Sequence, residues 1–520
     1  MSQGEQIARA AGVVLVMNLL SRALGFVRDA AIAYRFGAGK ATDAYMVAYT
    51  WPYLIQAVLG FALVSAVVPV FTGYLVKDRK QEAWRAGSNL LNLAAVLLTG
   101  ISIAGILGSP GLVKITAPGF STEQTKLTIE LTRIMFPSVL FMGLGMLVTG
   151  MLNAHRYFAV PAFAPGFTNI IIIVTVLFFA EDFNVHRLAL GTLIGFIGFL
   201  LIQIPALVRL GFQYSFSFDW RHPAVQKIFW TVGPVILGIS VNQIYLALNR
   251  VFASGLPPGS LSALEYAYRL MSLPLGIFVA AVSTAIFPAM AEQAIGKKNR
   301  ELSTTLVQGL GMVLVVAVPA AVGLAVLREP LVRLLLERGA FDRRATLFTA
   351  SALLYFAGGL IPLAFNMIIT RAYYALDDAR TPVVTGLLSV GINVILSMIF
   401  LPVMAHTGLA LANSLAAAAN SLLLYRGLRK HLGRLPDRRI GKSLAGTGAA
   451  SLAMAVVVFK VSGAIRTWSG LAGMKLLLAE VGVGIITGVI CFGFLAAMLR
   501  VKEVELLMHT LLRARPFPRK

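Results

Sequence analysis

Apolar runs of about 20 residues, each long enough to carry a helix across a bilayer, follow one another along nearly the whole chain. In hydrocarbon every backbone N–H and C=O must be satisfied within the segment that carries it, so runs of this kind commit the chain to helices. Fourteen crossings are expected, near residues 8–36, 42–76, 83–108, 123–154, 158–181, 187–210, 222–254, 260–293, 299–327, 344–375, 380–404, 407–429, 441–465 and 472–500. Hydrophobic residues make up 58% of the 520 and charged ones only 13%, with a mean hydropathy of +0.80, which excludes a soluble fold. The expected class is an all-α polytopic membrane protein. The first run is too long, and too charged in its middle, for a cleaved signal peptide and is expected to be retained.

The net charge of +23 does not mark a nucleic-acid binder, because Lys and Arg sit mostly in short loops between the runs. Lys77, Arg79, Lys80 and Arg85 follow the second run, Lys297, Lys298 and Arg300 the eighth, and Arg426, Arg429, Lys430, Arg434, Arg438, Arg439 and Lys442 the twelfth. Arg513, Arg515, Arg519 and Lys520 add to the tail. By the positive-inside rule these loops and both termini are cytoplasmic. The loop between runs 9 and 10 dissents with five arginines, offset by Glu329, Glu337 and Asp342. Its Val332, Leu335 and Leu336 have the spacing of a short interfacial helix. The single Cys491 permits no intrachain disulfide and no cysteine metal site. No metal cluster, G-x-S-x-G elbow or P-loop points to an enzyme or a cofactor.

An internal repeat is visible at a period near 221 residues: Ala154 and Pro161 recur as Ala375 and Pro382, Pro52 as Pro274, and Arg28 as Arg250. The expected organisation is an N-terminal lobe over 1–217 and a C-terminal lobe over 218–436. Six helices per copy would relate the lobes by a pseudo-two-fold along the membrane normal, and 437–520 would hold two appended helices and a basic tail.

Within the first run, Asn18, Arg22, Gly25 and Asp29 fall on one helical stripe, and Ser21 with Arg28 on a neighbouring one. A lone arginine near the bilayer centre costs roughly 2.5–3.5 kcal/mol on insertion scales, so it normally faces protein or a wet cavity. In run 8, Ser262, Glu265 and Arg269 share a face. In run 7, Asn242 aligns with Asn249 and Gln243 with Arg250. Run 2 begins with Asp43 and carries Gln56. Each group also has a plainer reading: Arg22 with Asp29, or Glu265 with Arg269, as structural ion pairs; Arg250 snorkelling to headgroups; Asp43 as a helix-start residue; and Pro52, Pro137, Pro234, Pro274 and Pro362 as kinks. The excess of arginine over acid favours an anionic cargo, since the guanidinium fork suits phosphate.

The stretches S-R-A-L-G-F-V-R-D (21–29), F-G-A-G-K-A-T-D-A (36–44), Y-A-Y-R-L-M-S-L-P-L-G (266–276) and A-L-D-D-A-R-T-P-V (375–383) resemble the signatures of the MurJ (MviN) lipid II flippases. These belong to the superfamily of multidrug, oligosaccharidyl-lipid and polysaccharide exporters. The resemblance covers essentially the whole chain. It implies a two-lobe transporter of the bacterial cytoplasmic membrane that carries undecaprenyl-diphosphate-linked disaccharide pentapeptide to the outer leaflet for peptidoglycan synthesis. It further implies cavity arginines at Arg22, Arg28 and Arg269, lining by Ser21 and Ser262, a partner for them in Asp29, an outer gate at Asp43 and a lipid-tail groove on the last two helices. Lipid II, membrane lipids and cell-wall synthases are the implied partners. Two departures stand out. Many members carry an arginine soon after the proline of helix 2, where this chain reads Pro52-Tyr-Leu-Ile-Gln56-Ala57. Some use an Asn and an acid four residues on in helix 11 for sodium, where this chain has Asn393 and Ser397, so the resemblance does not carry sodium coupling over; the membrane potential could bias the return of the empty, positively charged cavity. The other readings are a flippase for a different polyprenyl-diphosphate glycan, a drug antiporter, a non-transporting cell-wall scaffold and an enzyme acting on a lipid diphosphate.

Overall fold

The computed structural model describes the backbone of residues 3–179, 184–433 and 435–504, and the side chains of these residues other than 3–11, 61 and 234–246. Asn242 and Gln243, Arg434 and the basic tail therefore lie outside the described side chains. The described residues form helices joined by short turns, with no strand.

Apart from two that share one helix, each expected span coincides with one helix or with an interrupted pair, and one short helix, Arg328–Leu335, lies between spans. In order these are α1 (Gln3–Phe36), α2 (Lys40–Ala48) with α3 (Thr50–Val76), α4 (Lys80–Thr116), α5 (Thr122–Met135) with α6 (Ser138–Ala154), α7 (Ala159–Val174), α8 (Val185–Leu201) with α9 (Ile204–Arg209), and α10 (Pro223–Ser254). Then follow α11 (Ser260–Pro274) with α12 (Ala280–Ile295), α13 (Asn299–Val326), α14 (Arg328–Leu335), α15 (Arg343–Ala375), α16 (Arg380–Leu432), α17 (Asp437–Trp468) and α18 (Gly473–Met498). Among the described residues, eleven stretches are long and apolar enough to cross a membrane. The expected spans at 8–36 and 222–254 fall on further long helices, and two expected spans share α16, which breaks at Ala405 (φ 49°, ψ −132°). These observations are consistent with fourteen crossings.

Two of the marked prolines interrupt their spans. Pro137 separates α5 from α6, and Pro274 opens a π-helical turn over Leu275–Val279, because proline withholds an N–H from the ladder. Pro362 sits inside an unbroken α15. A short helix is present where one was expected, as α14, with Val332 and Leu336 buried and Leu335 half-buried.

By packing, the chain divides into two compact units. The first runs to Ser262 and includes Arg338–Asp342; the second comprises Ala263–Glu337 and the chain from Arg343 on. The packing boundary therefore differs from the lobe boundary expected at 217/218, since α10 packs on α3 and α4 and joins the first unit. In that unit α1 lies along α7, α3 along α6, and α7 along α8. In the second, α15 packs with α16, and α13 and α18 with α17.

The repeat is visible in the turns. After α6, Tyr157 N donates to Leu152 O at 2.9 Å, and after α15, Asp378 N donates to Tyr373 O at 2.9 Å. The residues between, Arg156 and Asp377, both sit at φ 60°. After α3 and α12 the same closure recurs, Arg79 N to Tyr74 O and Lys298 N to Gln293 O. Asp78 and Lys297 take positive φ there, and ion pairs Arg79–Glu82 and Lys298–Glu301 open the next helix. Each is a Schellman closure, with a left-handed residue ending the helix.

Candidate functional site

The α1 sequence places Ser21, Gly25, Arg28 and Ile32 on the face that meets α7. Contact is close because α7 offers glycine: a Cβ at Gly166 would stand 2.9 Å from Ser21 Oγ. Behind it, α8 approaches α7 at Gly195, whose carbonyl accepts from Thr168 Oγ1 at 3.0 Å. Small residues at such crossings let helices approach where no hydrophobic drive separates them from lipid. The result is a fixed position for Asn169.

Asn169 was not singled out in the sequence, yet it organises this site. Its Nδ2 donates to Ser21 O at 3.2 Å, and its Oδ1 accepts from Arg28 Nη1 at 3.0 Å. Arg28 gives its other edge to Asp29 Oδ1, from Nη2 at 2.7 Å and Nε at 3.0 Å. Their side chains are 16% and 11% exposed, so the guanidinium is enclosed but not sealed. Ser21 Oγ donates to Ala162 O at 3.1 Å. Asn18 and Arg22, on the stripe that leads to Asp29, are exposed. That stripe runs along the margin of the packed face, covered at Asp29 and open at Arg22.

A second cluster forms where α1 ends. Asp43, buried in the first turn of α2, leaves the start of its own helix to Gly39 and reaches α11. Its Oδ1 accepts from Ser262 N at 2.8 Å and Ser262 Oγ at 2.7 Å, and its Oδ2 from Gly259 N at 2.7 Å. Asp43 thus caps α11 from another helix, satisfying amides that a helix start leaves open. Gly259 sits at φ +91°, and a Cβ there would lie 2.5 Å from Ala38 O, so only glycine fits. Ala340 N donates to Tyr34 O at 2.8 Å alongside. The helix-start reading of Asp43 thus gives way to a cross-helix latch, and the Ser262 hydroxyl is taken up by it.

Arg250 is buried and donates to Thr50 Oγ1 at the start of α3, so the snorkelling reading does not hold in this conformation. Asn249 beside it is half-buried, as is Gln56 on α3, whose Oε1 meets no donor among the described residues. In the second unit α11 carries Glu265, half-buried, and Arg269, exposed. Another residue absent from the sequence reading is Arg371 on α15. Its Nε donates to Ser283 Oγ of α12 at 3.3 Å, and its guanidinium lies 5.3 Å from the Phe287 ring centre. The signal was available as a basic residue inside an apolar run. Asn393 and Ser397 are fully buried on α16, and none of their side-chain polar atoms finds a partner among the described residues. An amide and a hydroxyl bring no carboxylate to a cation.

A helical bundle of apolar spans, with an arginine inside one of them held by a carboxylate and an amide, is the architecture of a polytopic membrane protein, and its relatives make it a transporter. The chain belongs to the lipid II flippase family MurJ, whose profile matches residues 32–478. It is 33% identical to the probable lipid II flippase MurJ of Buchnera aphidicola subsp. Acyrthosiphon pisum (strain APS), over 88% of this chain and 90% of that protein. A solved lipid II flippase MurJ in an inward closed conformation superposes with a TM-score of 0.78 at 26% identity, covering 94% of this chain and 99% of the other. An inward-facing multidrug resistance MATE family transporter of the MOP superfamily shares the fold: TM-score 0.67 at 16% identity, covering 82% of this chain and 99% of the other.

Proposed function

We propose that the chain moves lipid II from the cytoplasmic to the outer leaflet of the bacterial inner membrane by alternating access of its two repeat copies, with both termini in the cytoplasm. The observation that carries this reading is the enclosed guanidinium of Arg28, shared between Asp29 and Asn169 inside an apolar helix. A diphosphate head cannot cross hydrocarbon unaided, whereas a polyprenyl tail never has to leave it. Arginine presents a planar fork of donors that matches phosphate oxygens.

Asp29 has a definite part in this scheme. In the empty carrier it compensates Arg28, so that no bare charge is buried. When the diphosphate enters, the guanidinium exchanges one carboxylate for a stronger anion, and Asn169 keeps its orientation during the exchange. Arg22 and Arg269, both exposed, are the further phosphate ligands, and opening of the Asp43–Ser262 latch accompanies release on the outer side. α17 and α18 take the lipid tail. Membrane potential biases the return of the positively charged empty site, at about 2.3 kcal/mol per charge per 100 mV, with no sodium step. Cell-wall synthases that consume the delivered precursor are the protein partners.

Depletion rescue tests the proposal. The wild-type chain should restore growth to cells depleted of their own lipid II flippase. Arg28→Ala and Arg269→Ala should fail to do so while inserting at normal levels. Rescue by both variants would overturn the assignment.

A further inference from the structure

Between α9 and α10 the chain runs without helix or strand over residues 212–219, and this segment is held against α4 by side chains instead of by another strand. Three buried polar residues on α4, Ser88, Asn89 and Asn92, supply the bonds. Ser88 Oγ accepts from Ser215 N at 3.0 Å. Asn89 accepts from Asp219 N at 2.8 Å and donates to Asp219 O at 2.5 Å. Asn92 Nδ2 donates to Ser217 O at 3.0 Å and Ser215 O at 3.3 Å. The side chains alternate along it as in an extended chain. Ser215 and Ser217 turn inward, while Phe216, Phe218 and Trp220 are 79%, 47% and 66% exposed; Tyr214 is 60% exposed but its hydroxyl donates back to Asn92 Oδ1 at 2.7 Å.

That polarity is the reverse of a solvated loop, which puts its hydroxyls outward and its rings in. The location explains the reversal. Asn89 and Asn92 lie roughly 15 Å along α4 from Lys80, at 1.5 Å per residue. There the helix passes from its charged turns (Lys80, Glu82, Arg85) to the apolar run that starts at Leu90. The segment follows the apolar span Val185–Arg209 and leads into the 32-residue α10. Arg209, Arg221 and Lys227 around it are exposed, and the Arg221 guanidinium lies 6.0 Å from the Trp220 ring centre. Phe229 and Trp230 on α10 extend the aromatic surface. Amphipathic rings with neighbouring cations are what the headgroup and upper acyl layer accommodates.

We propose that residues 212–220 form an interfacial lipid anchor: an aromatic strap, pinned to α4 by Ser88, Asn89 and Asn92, that lies in the boundary layer of the bilayer and fixes the depth of α4 and the foot of α10. Its occupant is lipid, with acidic headgroups favoured by the flanking cations.

The test uses the full chain reconstituted in vesicles of phosphatidylcholine with a minority of phosphatidylglycerol. The chain has five tryptophans, so the emission of wild type minus that of Trp220→Phe isolates Trp220. This substitution at an exposed ring leaves the fold in place. The expected result is that the difference signal loses most of its intensity with lipid brominated near the carbonyl end of the acyl chain, and little with lipid brominated near the methyl end or with aqueous acrylamide. Quenching by acrylamide comparable to that of free tryptophan, with neither brominated lipid effective, would mean that the strap faces water or a protein partner and would overturn the anchor. Strongest quenching by the deep bromines would overturn it as well, by placing the ring in hydrocarbon.

Discussion

Arginine and carboxylate meet both in the middle of α1 and along α14, and the two places use the same chemistry for different ends. In α1, Arg28 has one acid and one amide within reach, is mostly enclosed, and lies inside an apolar helix. Around α14, Arg343 is half exposed and spreads over Glu329 and Glu337 (3.7 Å), while Arg333 also reaches Glu337 at 3.3 Å. In water such pairs are worth roughly 0–1 kcal/mol, because solvent competes for every partner. Inside, the attraction is stronger, but each charge has already lost its hydration, so the pair mainly prevents a bare charge and adds little stability of its own. The exposed network settles a surface helix at the end of α13. The enclosed pair holds a cation where, in the proposed function, the diphosphate is to pass.

This contrast is open to direct attack. The largest effect is expected for Arg28→Ala, which strands Asp29 in a low-dielectric site: a loss on the order of 3 kcal/mol in reversible denaturation in detergent micelles. Double substitution of Arg28 and Asp29 by apolar residues should return most of that loss while transport stays abolished. If the double variant is as unstable as the single one, the compensation account of Asp29 is wrong. Next comes Asn169→Leu, which removes the amide that orients Arg28 and satisfies the Ser21 carbonyl; about 1–2 kcal/mol of destabilisation and a partial loss of transport are expected. Arg343→Ala should cost no more than about 1 kcal/mol. The smallest effect concerns pH. The hydrogen bond from Arg343 holds the Glu329 carboxyl below the usual carboxylate range, against the opposing pull of partial burial. A folded-state value below the unfolded one gives stability that is present above the unfolded value, about 4.3, and is lost as pH falls through the folded one. Melting curves of wild type and Glu329→Gln should therefore converge toward the acid end, and a gap that widened there would reverse the sign.

Much of this was legible in the sequence because membrane helices announce themselves by length and polarity. The break that Ala405 makes inside α16 was anticipated as a boundary between two spans, since one apolar run of that length is twice what a bilayer needs. The A-L-D-D-A-R-T-P motif likewise makes local sense. Asp377 takes the left-handed turn after α15, and Asp378 accepts from Thr381 N at 2.9 Å and Thr381 Oγ1 at 2.6 Å to start α16. What escaped the sequence was partnership across distance. Nothing near Asn169 in its apolar run names Arg28 as its ligand. The two amides that Asp43 caps, of Gly259 and Ser262, lie at the start of a helix more than two hundred residues later. The interruption at Tyr49, between α2 and α3, is followed by Pro52, which was marked as a kink, whereas the one at Ile202–Gln203, between α8 and α9, is followed by Pro205, which was not singled out.

The most direct test is leaflet transfer of lipid II in vesicles holding the purified chain, read by the accessibility of the head to an outside reagent. Wild type should expose the substrate, Arg28→Ala should not, and Arg28→Lys should do so partially, because a point charge lacks the fork. Transfer by Arg28→Ala at the wild-type rate would contradict the claim that this guanidinium carries the diphosphate.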